Sequence, residues 1–272
     1  SLFKSLRNLF QNQNLSLRVI EVRNADLLLD RPKLDLFPAK KIPIGVSARL
    51  DFINPIPNQI NINGDLSRLE IEGLSFRGTL KANDLLAKET SINVELESAP
   101  IPAKKINTLA ETLSNPESTP VEFTSGQIEK ISIHLKGIVV SNGNPLKKVV
   151  IKSGFEIENL EISIPKIKKL GSVPLYDIEA NGVWEDGILN YKINGMLWNG
   201  TIQSNLVVNL PDLLRASLTG TYNSETKFDK LDFSSIRFNH LDKWTPATGT
   251  ANGSIKTQSS LNKDIRIYGK LE

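Results

Sequence analysis

The stretch DGILNYKINGMLWNGTIQSNLVVNL, residues 186–210, decides the fold class. Apolar residues occupy nearly every second position over 189–197 and 202–210, with Asn, Lys and Gln between them. A period of two places successive side chains on opposite faces of a β-strand, so each run is a strand with one apolar and one wet face. The dipeptides Asp186-Gly187 and Asn199-Gly200 accept the positive φ of a tight hairpin turn. Three consecutive antiparallel strands are therefore predicted here.

The same alternation recurs along most of the chain. Residues 127–140 place Ile131, Ile133 and Leu135 on one face and His134 on the other. Further strands are predicted at 16–23, 45–52, 68–80, 91–97, 149–164, 175–184, 215–222, 228–238 and 264–271. The expected fold is all-β with two short helices, in which a long antiparallel meander is curled into an open groove; a β-sandwich is the alternative.

Only two segments have a helical period. Residues 1–10 carry one apolar stripe, and residues 102–114 begin at a proline suited to a first helical turn. We expect an N-terminal part, 1–125, that contains both helices, and a continuous sheet over 126–272. The chain starts without Met and its last strand is still running at the end, so we expect a piece of a longer protein that forms one extended unit.

Glycine recurs inside the predicted strands, as in Ile62-Asn63-Gly64 and Ile193-Asn194-Gly195. A strand glycine marks a bend or a close approach to the backbone. We interpret the repetition as repeated curvature of the sheet.

Composition argues against several classes of function. The chain has 33 Lys and Arg against 30 Asp and Glu, and the two signs are interspersed, so no nucleic-acid partner is expected. With no Cys and 2 His, thiol chemistry is excluded and a transition-metal site is not expected. His134 and His240 are interpreted as surface or loop residues, and Glu95/Glu97 and Glu156/Glu158 as solvated pairs. No catalytic residues and no cofactor are therefore predicted.

Two short helices cannot cover the apolar faces of about a dozen strands. Either these faces meet each other in a sandwich, or they form a groove whose lining meets something apolar, such as acyl chains. The predicted groove lining is Ile131, Ile133, Leu135, Leu189, Tyr191, Ile193, Leu197, Ile202, Leu206 and Val208.

Three stretches, LSLRVIEVRNADL at 15–27, LVVNLPDLLRASLTG at 206–220 and LDKWTPATGTANGSI at 241–255, combine strands, short connections and glycine-bearing strands. In this the chain resembles the AsmA-like proteins of the Gram-negative envelope, the group that includes TamB and YhdP.

The resemblance implies a repeating β-groove in the periplasm that conducts phospholipid between the inner and outer membranes and supports outer-membrane integrity. It implies phospholipid acyl chains as the ligand, envelope proteins as further partners, and an inner-membrane anchor in a segment outside this chain. The alternative is a non-catalytic extracellular β-sandwich or an adhesin-like binding module.

Overall fold

The computed structural model describes residues 18–31, 40–53, 59–113, 122–140, 146–163, 172–209, 221–236, 248–260 and 266–271. The strands are β1 Val19–Arg31, β2 Lys40–Ile53, β3 Asn61–Ile71, β4 Leu74–Asn83, β5 Glu89–Ser98, β6 Ile101–Pro102, β7 Glu122–Ile128, β8 Lys130–Val140, β9 Leu146–Ser163, β10 Val173–Glu185, β11 Ile188–Leu197, β12 Gly200–Asn209, β13 Thr221–Asp232, β14 Thr250–Ser260 and β15 Arg266–Leu271. One α-helix, α1, spans Ala103–Leu113, and a 3-10 turn spans Phe233–Ser235.

The described strands form one sheet with the order β1-β2-β3-β4-β5-β8-β9-β10-β11-β12-β13-β14-β15, and β7 pairs with both β6 and β9. Strands adjacent in the chain are adjacent in the sheet except where β6, α1 and β7 intervene, and the pairings are antiparallel. The sheet is open. The all-β antiparallel meander is thus confirmed, and in place of a sandwich's two sheets the described strands make one.

The chain divides into two compact units. Unit 1 contains β3, β4 and β5, most of β1, β2 and β8, and the beginning of β9. Unit 2 contains β6, α1, β7, the rest of β9, and β10 to β15. The predicted parts 1–125 and 126–272 follow chain order, whereas the two units are interleaved along the chain.

Each unit has its own hydrophobic cluster. In unit 1, buried residues of β2, β3 and β4 pack with two residues of the connections; the cluster is Phe52, Ile60, Ile62, Ala82 and Leu85. In unit 2, the cluster joins α1 to β9 and β10 and consists of Ala103, Ile157, Leu160 and Ile178. Each cluster buries only a part of one face of the sheet, because many apolar residues of that face do not belong to the cluster.

One strand prediction and one turn prediction need correction. Residues 68–80 are not one strand but the end of β3, a turn at Glu72 and Gly73, and most of β4. Both turn residues have positive φ, 50° and 75°, so the turn uses Gly73 as hairpins commonly do. The later turn lies at Trp198 and Asn199, one residue before the predicted Asn199-Gly200, since Leu197 pairs with Gly200. Gly200 is required for another reason: a Cβ there would overlap backbone atoms of β13.

β13 also differs from prediction. Strands were expected at 215–222 and 228–238, but one strand, Thr221–Asp232, spans the gap between them and ends at the 3-10 turn. The intervening NSETK at 223–227 is wholly polar, so the alternation of hydrophobicity that marks a half-buried strand is absent. Likewise, the strand expected over 127–140 is broken at Glu129 into β7 and β8.

The second predicted helix is confirmed as α1, whereas residues 1–10 lie outside the described residues, as does His240. No helix in the described part of the chain is both long and apolar enough to cross a bilayer.

Candidate functional site

The register of unit 2 aligns uncharged side chains into rows across four strands. Leu189 of β11 faces Val208 of β12, which faces Tyr222 of β13. The next rows along the strands are Tyr191–Leu206–Ser224–Thr257, Ile193–Ser204–Thr226–Ile255 and Gly195–Ile202–Phe228–Gly253. Because alternate residues of paired strands share a face, these rows form one surface, the uncharged face of unit 2.

Charge is confined to the opposite face. Lys192, Glu225 and Lys256 share one row there, with Lys256 Nζ 3.4 Å from Glu225 Oε1. Lys227 and Lys270 lie in the adjacent row. Within the paired rows of β11 to β15, no charged residue occupies the uncharged face; Lys230 lies at a bulge in β13, with a φ of 55°. Charge therefore separates completely across this part of the sheet.

Unit 1 repeats the arrangement. Its uncharged face has the rows Phe52–Ile62–Ala82–Ile92–Gly137, Leu50–Gly64–Leu80–Val94–Leu135 and Ala48–Leu66–Gly78–Leu96–Ile133. The opposite face carries alternating signs, as in the row Arg49–Asp65–Thr79–Glu95–His134. In each unit, therefore, one face of the sheet is uncharged and the opposite face carries the charged residues.

Helix α1 covers one part of the uncharged face of unit 2. Ala103 is buried in the cluster with Ile157, Leu160 and Ile178, and Ile106 packs against it. The helix is held by Asn107, whose Nδ2 donates to the Phe123 carbonyl at 2.7 Å while its Oδ1 accepts from the Phe123 N–H at 2.8 Å. Lys104, Lys105 and Thr108 point to solvent. Ile193 and Ile202 contact the edge of this cluster from the sheet.

Away from α1 some residues of this face are more exposed. In the row of Ile193, Ala180 of β10 is 1% exposed, whereas Ile255 of β14 is 40% exposed. Leu189, Tyr191 and Leu206 between them are half-buried. The described residues therefore leave several apolar side chains of β11 to β14 partly exposed, although Val208, Leu231 and Ala251 of the same face are buried.

Aromatic rings lie at one end of this surface. Tyr191 stacks on Phe155 with ring centroids 6.1 Å apart, and its ring occupies the space above Gly182, where a Cβ would overlap it. Trp184 pairs with Leu189, and its indole Nε1 is buried with no hydrogen-bond partner among the described residues.

The predicted groove residues fall on these faces. Seven lie together on the uncharged face of unit 2: Leu189, Tyr191, Ile193, Leu197, Ile202, Leu206 and Val208. Ile133 and Leu135 lie on the uncharged face of unit 1, and Ile131 is half-buried at the start of β8.

Other residues of the two faces were missed. In unit 1 these are Leu50, Leu66, Leu80, Val94 and Leu96, of which only Leu66 lies outside the predicted strands. In unit 2 the missed residues include the hydroxyls Ser204 and Thr226 and the apolar residues Phe228 and Ile255. Ser204 could have been found, because it continues the alternation between Ile202 and Leu206.

The charged face offers no comparable chemistry. His134 Nε2 lies 2.6 Å from Asn93 Oδ1 and 3.6 Å from Glu95 Oε1, and its side chain is 29% exposed. Two shallow hollows, of about 510 and 520 Å³, are lined largely by polar residues of this face. No group of three or more Asp, Glu or His side chains suited to a metal ion occurs in the described part of the chain.

Comparison with family models, curated proteins and solved structures found no match to this chain. The resemblance to AsmA-like proteins therefore rests on the three sequence stretches, all of which lie partly outside the described residues.

Proposed function

We propose that this chain binds the acyl chains of phospholipids along its uncharged faces, as a non-catalytic segment of an AsmA-like protein. In this proposal the segment stands in the periplasm and conducts phospholipid between the inner and outer membranes. The inner-membrane anchor belongs to a segment outside this chain, and other envelope proteins are further partners.

The observation that carries the proposal is the complete separation of charge across a partly exposed sheet. A face that contacts only water tolerates charged side chains. The paired rows of β11 to β14 have none on this face, while the opposite face of the same strands carries both positive and negative residues. Burying a large apolar side chain contributes about 1.5 to 3 kcal/mol relative to exposure. Covering half-buried residues such as Leu189 and Leu206 with hydrocarbon would therefore stabilise the complex with lipid.

The partial cover supports a ligand rather than a closed core. In a sandwich, the second layer would bury the whole apolar face. Here α1 and β7 bury the part at β9 and β10, and Ile255 of β14 stays 40% exposed. Acyl chains would complete the cover over β11 to β14.

The test compares two neighbouring substitutions on β12, Leu206→Asp and Asn205→Asp. Leu206 lies on the uncharged face and Asn205 on the charged face. An unpaired charge facing hydrocarbon costs several kcal/mol. We expect the Leu206 variant to retain at most about a tenth of the bound phospholipid, a loss that corresponds to about 1.4 kcal/mol or more. The Asn205 variant should retain all of it.

Lipid is extracted after gentle purification from membranes and quantified per protein, beside a thermal melt of each variant. A folded Leu206 variant with little lipid supports the proposal. Lipid-free wild-type protein contradicts it. An unfolded Leu206 variant beside a stable Asn205 variant would indicate a closed core, and would also contradict it.

A further inference from the structure

Four hydroxyl side chains form a stripe across the uncharged face of unit 2. Ser204 of β12 faces Thr226 of β13, and one row further Ser224 of β13 faces Thr257 of β14. We call these four residues the hydroxyl stripe. The oxygens of the first pair are 2.9 Å apart and those of the second pair 2.6 Å apart, so each pair is hydrogen-bonded.

Each pair has an unused donor. A serine or threonine hydroxyl donates one hydrogen bond and accepts two, so a mutual bond between two hydroxyls uses only one of the two O–H groups. All four side chains are half-buried, and no further hydrogen bond from them is found within the described residues. The stripe therefore presents two O–H donors at a partly exposed surface.

The stripe is bordered by hydrocarbon along the strands. On one side lie Leu189, Val208 and Tyr222, and on the other lie Ile202 and Phe228. No cation of β11 to β15 lies in these rows. The surface is thus apolar, then hydrogen-bonding, then apolar again, without a positive charge.

Unit 1 provides an internal comparison. The three central rows of its uncharged face contain only aliphatic, aromatic and glycine residues and have no hydroxyl. Hydroxyls are therefore no general requirement of such a face in this chain.

We propose that the hydroxyl stripe binds the ester carbonyls of a diacyl glycerolipid, while the acyl chains lie on the bordering apolar residues. Ester carbonyls accept hydrogen bonds and cannot donate them, which matches the unused O–H donors. Phosphate recognition would require cations or several convergent donors, and the rows of this face have no cation. This inference rests on the proposed lipid-binding function and names the part of the lipid that unit 2 recognises.

The experiment measures binding of the purified chain to two matched phospholipids, dioleoyl phosphatidylglycerol and its diether analogue, which lacks both ester carbonyls. We expect the wild-type chain to bind the diester about tenfold more tightly, as one or two net hydrogen bonds would give. The variant with Ser204→Ala, Thr226→Val, Ser224→Ala and Thr257→Val should bind both lipids equally. The control, Thr201→Val with Ser254→Ala, removes hydroxyls from the opposite face of β12 and β14 and should keep the preference.

Equal binding of diester and diether by the wild-type chain would overturn the inference and leave the proposed function intact. Binding of neither lipid would overturn both. If the fourfold variant fails to fold, the pair variant Ser204→Ala with Thr226→Val replaces it and should lose part of the preference; an unchanged preference contradicts the inference. A wild-type preference that the fourfold or pair variant keeps in full would place the ester site elsewhere.

Discussion

Asp232, the last residue of β13, accepts hydrogen bonds from the 3-10 turn that follows it, and this turn is also hydrogen-bonded to the β11–β12 turn. Its Oδ1 accepts from the Ser234 N–H at 2.9 Å and from the Ser234 hydroxyl at 2.6 Å, and its Oδ2 accepts from the Ser235 hydroxyl at 3.2 Å. Ser235 in turn accepts from Asn199 of the β11–β12 turn at 2.8 Å. These bonds favour the carboxylate, and the hydrogen bond from the Ser234 side chain is the main reason that the pKa of Asp232 is lowered.

A pH prediction follows for Asp232→Asn. Because the pKa is lower in the folded state, Asp232 stabilises the protein above its unfolded pKa, and this contribution is lost as pH falls through the folded pKa. The difference in free energy of unfolding between wild type and variant should therefore be largest near neutral pH and shrink in acid. Urea unfolding of both proteins across the acidic range measures it. A difference independent of pH would mean that the carboxylate charge has no role.

Gly182 is the second residue with a specific requirement, since the Tyr191 ring occupies the position of a Cβ. We expect Gly182→Ala to displace the ring and destabilise the protein by about 1 to 3 kcal/mol. Gly269→Ala is the matched control, because the nearest atoms to a Cβ there are 3.8 Å and 4.0 Å away. It should change stability by no more than about 0.5 kcal/mol. Equal stability of the two variants in chemical denaturation would contradict this account.

At the scale of elements, Asn107 provides side-chain hydrogen bonds that join α1 to β7. Asn107 satisfies both the N–H and the carbonyl of Phe123 on β7. Asn107→Ala leaves two partly buried backbone groups without these partners, and we expect a loss of about 1 to 3 kcal/mol in the free energy of unfolding.

Thr108→Ala is the control for α1, since Thr108 is exposed and donates only to the Lys104 carbonyl of the same helix. Its effect should stay within about 0.5 kcal/mol. Hydrogen exchange should show that the α1 amides of the Asn107 variant open more readily. Unchanged exchange would mean that the apolar contacts of Ala103 and Ile106 alone hold the helix.

Elements with a clear hydrophobic period could be predicted from the sequence, as β11, β12 and α1 illustrate. β13 could not, because its central residues are all polar and its pairing comes from neighbouring strands. The turn lies at Trp198 and Asn199, one residue before the predicted dipeptide, and Gly200 instead approaches β13 closely, a contact distant in sequence. Local patterns do not encode such approaches.

At the scale of the whole molecule, each unit separates charged from uncharged residues across its sheet. The sequence predicted this alternation and seven residues of the uncharged face of unit 2. It could not predict that α1 covers part of that face, because this depends on how the β6–α1–β7 segment packs on β9 and β10. Ile193 of the predicted lining packs against that cluster, so a charge at Ile193 would also disturb the core. Leu206 is therefore the residue substituted in the test of lipid binding.

The most direct test of the central claim is a single-cysteine scan of residues 202–208 with nitroxide labels. The chain has no native cysteine, so each variant carries one label. In the presence of phospholipid, we predict that labels at 202, 204, 206 and 208 are accessible to oxygen and protected from a water-soluble nickel complex. Labels at 203, 205 and 207 should show the reverse. Seven labels with the same accessibility, or a nickel-accessible label at 206, would contradict the claim that lipid covers the uncharged face.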